Sequence, residues 1–234
     1  MGRRVPSLVI SRALGLQLAR SFFMLVTTSL FFIGVFYLPL TTASTIMFMA
    51  PVIVTMLSIP MLGEQVGMRR WLGIACAFLG ALIVIRPVGG PIQWTMLILL
   101  AAAFTHALYQ IYTRKTGTRD HPLTSLLYTG VLGAVGLSGA VVFYWQPVAL
   151  SDWPLFLSLG ILGGIGHLFL IRAFHNAPAS VVAPFSYSSL LWAIVFGFIL
   201  FGDLPDSWTL TGAALIIASG LYIFHREQLA KKSS

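Results

Sequence analysis

Few side chains in this sequence can do more than fill space, and those that can recur at helical spacing. In AAAFTHALYQIYT, Tyr109, Gln110 and Thr113 follow His106 at three, four and seven residues, which sets all four along one stripe of a helix. Imidazole, phenol, carboxamide and hydroxyl groups hold a polar solute by hydrogen bonds, and the same groups also tie one helix to another. The spacing leaves both uses open. His167 stands in LGGIGHLFLIRAF beside Gly163, Gly164 and Gly166, where small residues let a ligand or a second backbone come close. In SVVAPFSYSSLLWAIVF the cluster Ser186, Tyr187, Ser188 and Ser189 follows Pro184, which removes one helix hydrogen bond and frees a carbonyl. Trp192 adds a second aromatic face, and Phe48 joins the set through a repeat described below. The candidate substrate-binding residues are therefore His106, Tyr109, Gln110, His167, Tyr187, Trp192 and Phe48. Thr28 and Thr55 rank behind them, because hydroxyls in membrane helices commonly bond their own backbone.

The acids are placed where they do little of this chemistry. Glu64, Asp120, Asp152, Asp203, Asp206 and Glu227 all fall at helix ends or in connectors. Without a carboxylate at depth, a carboxylate proton relay or an acidic pocket for cations would have to come from helices absent from this sequence or not exist. Hydrogen bonding and aromatic stacking suit uncharged or zwitterionic organic solutes, with histidine protonation as a coupling step. An enzyme would need a nucleophile with its base, paired carboxylates or a metal cluster. The sequence has no His-Glu-x-x-His, no Gly-x-Ser-x-Gly and no Gly-rich phosphate loop with Lys. His106 and His167 lack a third metal ligand at depth, so neither catalysis nor any cofactor is expected. Cys76, the single cysteine, is expected to pack inside an apolar helix.

The elements that must position these residues are membrane spans. Of 234 residues, 58% are hydrophobic and 9% charged, whereas a soluble domain carries about 25% charged residues. Each span needs about 20 apolar residues, and eight windows qualify, near 22 to 38, 43 to 62, 71 to 86, 94 to 113, 123 to 145, 154 to 176, 180 to 201 and 208 to 224. The net charge of +8 would read as a nucleic-acid footprint in a soluble protein. Here it sorts by membrane side: with a cytoplasmic amino terminus, Arg3, Arg4, Arg12, Arg20, Arg69, Arg70, Arg114, Lys115, Arg119, Arg172, Arg226, Lys231 and Lys232 fall on the inner face and only Arg86 outside. Arg172 and His175, close to the inner end of their span, are expected to fix topology. Trp94, Trp145, Trp153 and Trp208 sit at span ends as interfacial anchors. Glycines 130, 133, 136 and 139, and the Gly160 to Gly164 spacing, are expected to favour close helix packing.

A shift of 139 positions lays residues 37 to 86 over 176 to 225. Pro39 meets Pro178, Gly63 meets Gly202, Gly73 meets Gly212, Thr41 meets Ser180, Phe48 meets Tyr187 and Glu64 meets Asp203. Equivalent helices are five spans apart, an odd number, so the second copy enters the membrane inverted with respect to the first. Inverted repeats give a carrier two related ways to open around one site near the bilayer midplane.

LPLTTASTIMFMAPVIVTMLSIPMLGEQV followed by WLGIACAFLGALIVI, with Pro51, Gly63, Glu64, Gly73 and Gly80 as landmarks, resembles the EamA type of the drug/metabolite transporter superfamily. In the second copy Leu190 stands where the family's helix proline falls, and Asp203 replaces the usual Glu. The resemblance implies an all-α, polytopic bundle of about eight transmembrane helices here, an inverted repeat lacking the first two of the family's ten helices. Residues 1–87 form an incomplete first repeat of three helices, 91–226 a second repeat of five, and 227–234 a cytoplasmic tail. It also implies a secondary transporter of small organic metabolites, amino acids or drugs by alternating access, multi-pass in the bilayer of a bacterial inner membrane with both termini cytoplasmic. No nucleic-acid partner is expected. A chain shortened from ten helices, or a homodimer completing the bundle, accounts for the missing part, and an inactive or interaction-only membrane fragment is the rival reading.

Overall fold

The structure, a computed structural model, describes residues 9–38, 40–85, 94–144, 147–202 and 206–232. Pro39, Arg86, Trp145, Asp203, Arg3 and Arg4 lie outside the described residues. Helices α1 (Leu14–Tyr37), α2 (Leu40–Met47), α3 (Ala50–Leu62), α4 (Met68–Ile85), α5 (Trp94–Thr116), α6 (Pro122–Tyr144) and α7 (Trp153–Asn176) follow one another. A short α8 (Ala179–Val182), a 3₁₀ turn (Ala183–Tyr187), α9 (Ser188–Phe201) and α10 (Ser207–Lys232) complete the order. Each of the eight apolar windows is helical over most of its described residues. Leu14–Tyr37, Trp94–Thr116, Pro122–Phe143, Leu150–Asn176 and Ala179–Phe196 are long and apolar enough to cross a membrane, and Ala50–Leu62 and Ser207–Tyr222 are shorter apolar helices. The protein is a multi-pass helical membrane protein.

Two windows are broken, and they are repeat mates. The window at 43 to 62 divides between α2 and α3 at Phe48 and Met49, just ahead of Pro51, which has no N–H to offer the carbonyl of Met47. The window at 180 to 201 divides at the 3₁₀ turn Ala183–Tyr187, which contains Pro184. Both copies end the broken helix in the same way. Gly63 caps α3 at φ +68° with its N–H on the Ile59 carbonyl, and Gly202 caps α9 at φ +75° with its N–H on the Phe198 carbonyl. Only a residue without Cβ adopts that left-handed geometry without strain.

The chain separates into two compact units, one of Met1–Val26 with Leu108–Ala177, the other of Thr27–Ala107 with Pro178–Ser234. In the second unit α4 packs along α10, and the approach is so close that a Cβ on Gly80 would lie 2.8 Å from the Gly212 carbonyl oxygen. Ala77 and Ala81 of α4, Ile216 of α10 and Tyr187 form one buried cluster there. Leu38, Ala43 and Leu99 form another, where Gly34 leaves room for the Leu99 side chain.

Two expectations about packing are corrected. Cys76 is exposed on α4, so it faces outward instead of packing within. Among the glycines of α6 and α7, Gly136 meets Leu25, but a methyl group on Gly130, Gly133, Gly139, Gly160, Gly163, Gly164 or Gly166 would meet nothing within 4 Å. These glycines narrow the helix surface with no described part of the chain closely against it. Arg20, placed on the inner face by the charge pattern, lies in the second turn of α1 and is fully buried.

Candidate functional site

Four of the seven sequence-derived candidates fall into clusters, Tyr109 and His167 in the first unit, Phe48 and Tyr187 in the second. In the first unit the cluster is built around Arg20. Its Nε donates to the Thr113 hydroxyl at 3.1 Å, Nη1 donates to the Ser125 carbonyl at 2.5 Å and to the Gln17 side-chain oxygen at 3.3 Å, and Nη2 donates to the Tyr109 hydroxyl at 3.2 Å. The guanidinium also lies over the Tyr109 ring, 5.1 Å from its centroid, a cation–π contact that a desolvated site strengthens. Every one of these partners is neutral. Tyr109 in turn reaches the second candidate, His167: the phenol oxygen and Nδ1 are 3.4 Å apart and the rings meet edge to face.

Local sequence explains this gathering. Gln17 and Arg20 are three apart on α1, and Tyr109 and Thr113 are four apart on α5, so each pair shares a helix face. Thr113 bonds its own backbone at the Tyr109 carbonyl, which holds its oxygen toward Arg20. Gln17 extends the network outward, donating to the Ser125 hydroxyl at 2.9 Å and to the Asp120 carboxylate at 2.8 Å. Asp120 also accepts from the Ser11 hydroxyl and, at 2.8 Å, from the Arg12 N–H, tying the start of α1 to the connector between α5 and α6. Burial of Asp120 opposes its ionisation, but these bonds outweigh burial and hold its pKa below the ordinary value. An open polar cavity of about 650 Å³ lies here, lined by Arg12, Arg119, Asp120, His121 and His175 among others. Arg20 is thus two hydrogen bonds, through Gln17 and Asp120, from that cavity. Gln110 is buried on α5, and His106 is half-buried on the same helix.

In the second unit the helix breaks bring Phe48 and Tyr187 together. Tyr187 is fully buried, its hydroxyl donates to the Phe48 carbonyl at 2.9 Å, and the rings stack with centroids 5.6 Å apart. The two residues are repeat mates 139 positions apart. Glu64, just past the Gly63 cap, accepts from the N–H groups of Ala179 and Ser180 and from the Ser180 hydroxyl, and Arg70 donates to that hydroxyl oxygen at 2.7 Å. Trp192 does not join this cluster: it is 60% exposed and stacks on Phe196 of its own helix. Thr55 bonds the Pro51 carbonyl, as its rank behind the others anticipated.

Sequence reasoning singled out Tyr109, His167, Phe48 and Tyr187, which the structure sets in these clusters, and passed over Arg20, Gln17 and Ser125. The signal was the i, i+3 pair in RALGLQLARSFF, hidden because a basic flank reads as topology.

The EamA-like transporter family model matches residues 3–86 and 93–224. The chain belongs to the EamA-like transporter family. As a member of that family it is a transporter of small molecules. Among curated relatives, an S-adenosylmethionine uptake transporter of Rickettsia bellii is 29% identical over 197 residues, covering 84% of this chain and 68% of the relative. A riboflavin transporter of Vibrio cholerae is 28% identical over 221 residues, 94% of this chain and 74% of its own length. A pseudopaline exporter of Pseudomonas aeruginosa is 27% identical over 195 residues, 81% of this chain and 67% of the exporter. A solved crystal structure shares the EamA-like fold at a TM-score of 0.76 and 15% identity, covering 96% of this chain and 79% of its own.

Proposed function

We propose that this EamA-like chain moves small organic solutes by alternating access, with Tyr109 and His167 as solute-contacting groups in one unit and Phe48 and Tyr187 at the moving helix breaks in the other. The observation that carries the reading is the bond between Tyr187 and the carbonyl of its own repeat mate, Phe48, at 2.9 Å. Two inverted copies that exchange conformations must hinge at equivalent places. The paired interruptions at Phe48 and at Ala183–Tyr187 are such places, each beside a proline, Pro51 or Pro184, that has no N–H for the helix ladder. His106, Gln110 and Trp192 complete the proposed contact set from the half-buried, buried and exposed positions they occupy.

Relatives named for S-adenosylmethionine, riboflavin and pseudopaline support a metabolite as cargo and leave uptake and export both represented. We propose cytoplasmic termini, on the distribution of Arg and Lys, and a bacterial inner membrane, in keeping with relatives from bacteria, and assign the protein no catalytic role. The two repeats as domains, 1–87 and 91–226, with the tail 227–234, are part of the same proposal, as is assembly with a second copy.

The test uses a Cys76→Ser background, needed because Cys76 is exposed. Single cysteines at Phe48→Cys and Tyr187→Cys in proteoliposomes are labelled by an impermeant maleimide added to either side. Labelling from both sides, with rates that solute shifts in opposite directions, is the expected result. Labelling from one side only, together with no flux of any solute, would identify a non-transporting membrane protein.

A further inference from the structure

A guanidinium buried inside a membrane-embedded helix bundle, without a carboxylate partner among the described residues, is an expensive arrangement that needs a reason. Arg20 is 0% exposed, and the oxygens that receive its protons belong to Thr113, Gln17, Tyr109 and the Ser125 backbone, all neutral. The nearest acid in its network, Asp120, is bonded to Gln17, Ser11 and the Arg12 N–H, with Gln17 standing between it and Arg20. Guanidinium has five N–H donors in a rigid fork that matches the two oxygens of a carboxylate. Four donors are engaged. The two longest contacts, 3.3 Å to Gln17 and 3.2 Å to Tyr109, are on the terminal nitrogens Nη1 and Nη2, the pair that a carboxylate takes end on. The Ser125 carbonyl at 2.5 Å and Thr113 at 3.1 Å hold the group in place, and the Tyr109 ring supports its face.

We infer that Arg20 is the anchor for a carboxylate on the transported solute, which takes the places of the Gln17 and Tyr109 oxygens on the terminal nitrogens. This rests on the transport reading and narrows it: of the solutes that hydrogen bonding and stacking allow, the cargo is one with a carboxylate, amino-acid-like zwitterions foremost. Displaced from Arg20, the Tyr109 hydroxyl remains 3.4 Å from His167 Nδ1, so phenol and imidazole face the remainder of the solute together. The lining of the open cavity next to this network carries two guanidiniums, Arg12 and Arg119, against one carboxylate, Asp120, a balance that favours arrival of an anionic group.

The experiment compares matched acids and methyl esters on the intact detergent-purified protein: L-methionine, L-phenylalanine and glycine, each with its methyl ester, and acetate with acetamide, at equal ionic strength. Thermal stabilisation and flux into proteoliposomes are both read. Acids are expected to bind more tightly than their esters by about tenfold to a hundredfold, the worth of charge-assisted hydrogen bonds. Arg20→Gln is expected to erase that ratio, and Arg20→Lys, which keeps the charge but not the fork, to keep part of it. If Arg20→Gln does not fold, the acid-to-ester ratio of the native protein decides alone. Equal binding of acids and esters, an acid preference that survives in Arg20→Gln, or flux of a neutral solute such as riboflavin with indifference to every acid overturns the carboxylate assignment while the transport reading stands. No flux of any solute from a folded sample overturns that reading as well.

Discussion

Glu64 holds Ser180 twice, accepting its N–H at 3.0 Å and its hydroxyl at 2.5 Å, and so fastens the exit of α3 to the start of the broken helix in the other repeat. The Ala179 N–H adds a third bond at 2.6 Å. These are the donors that a helix start leaves without partners inside its own ladder.

Glu64→Gln keeps shape but loses the charge and one acceptor. It is expected to lower stability by about 1–2 kcal/mol, read as a fall in Tm of the purified protein. Ser180→Ala removes one of the three bonds and is expected to cost less. An unchanged Tm in Glu64→Gln would show that the carboxylate is not a fastener.

Gly63 and Gly202 separate backbone strain from crowding, since a methyl at either has nothing within 4 Å to meet. Gly63→Ala and Gly202→Ala should each destabilise by about 1 kcal/mol through the left-handed φ alone. Gly130→Ala, equally uncrowded but inside α6, should be neutral or raise Tm. The opposite signs, measured side by side, check the argument.

Gly80→Val puts side-chain atoms against the Gly212 carbonyl, where even a Cβ comes within 2.8 Å. Backbone does not yield cheaply, and α4 and α10 would have to separate. A loss of about 1–3 kcal/mol is expected, with a lower Tm and poorer yield of monodisperse protein.

Asp120 gives a pH test. Its pKa in the folded protein lies below the ordinary 3.8, where its bonds from Ser11, Gln17 and the Arg12 N–H outweigh burial. The bonded carboxylate therefore contributes stability that is fully present above the ordinary value and is lost as pH falls through the lowered one. The Tm gap between native protein and Asp120→Asn should be constant at neutral pH and close only in acid, below about pH 4. A gap that closes near neutrality would assign the effect to another group.

The broad architecture was legible in the sequence because lipid leaves little choice. A chain with so few charges must be helical where it crosses the bilayer, and the 139-residue register was readable from Gly63 over Gly202 and Phe48 over Tyr187. The chemistry was less so. Tyr109 and His167 could be picked out because polar residues among apolar ones are conspicuous, but nothing in the spacing said that they meet each other. Arg20 was hidden by its neighbours. An arginine near a basic terminus satisfies the charge rule for topology whether it faces water or is buried, and only the extension of α1 back to Leu14 distinguishes the two. The break at Phe48 was also unforeseen, since Pro51 is tolerated in the first turn of a helix and does not announce an interruption before it.

The bond from Tyr187 to Phe48 cannot be returned. Exchange of the two copies' conformations would bring the phenylalanine to the tyrosine's place, and a phenyl ring has no proton to donate. Under alternating access the two end states therefore differ by one hydrogen bond, about 1 kcal/mol. That is a roughly fivefold preference for one orientation before any solute or gradient acts. On that reading, the preference between the two orientations traces to a single oxygen atom, the Tyr187 hydroxyl.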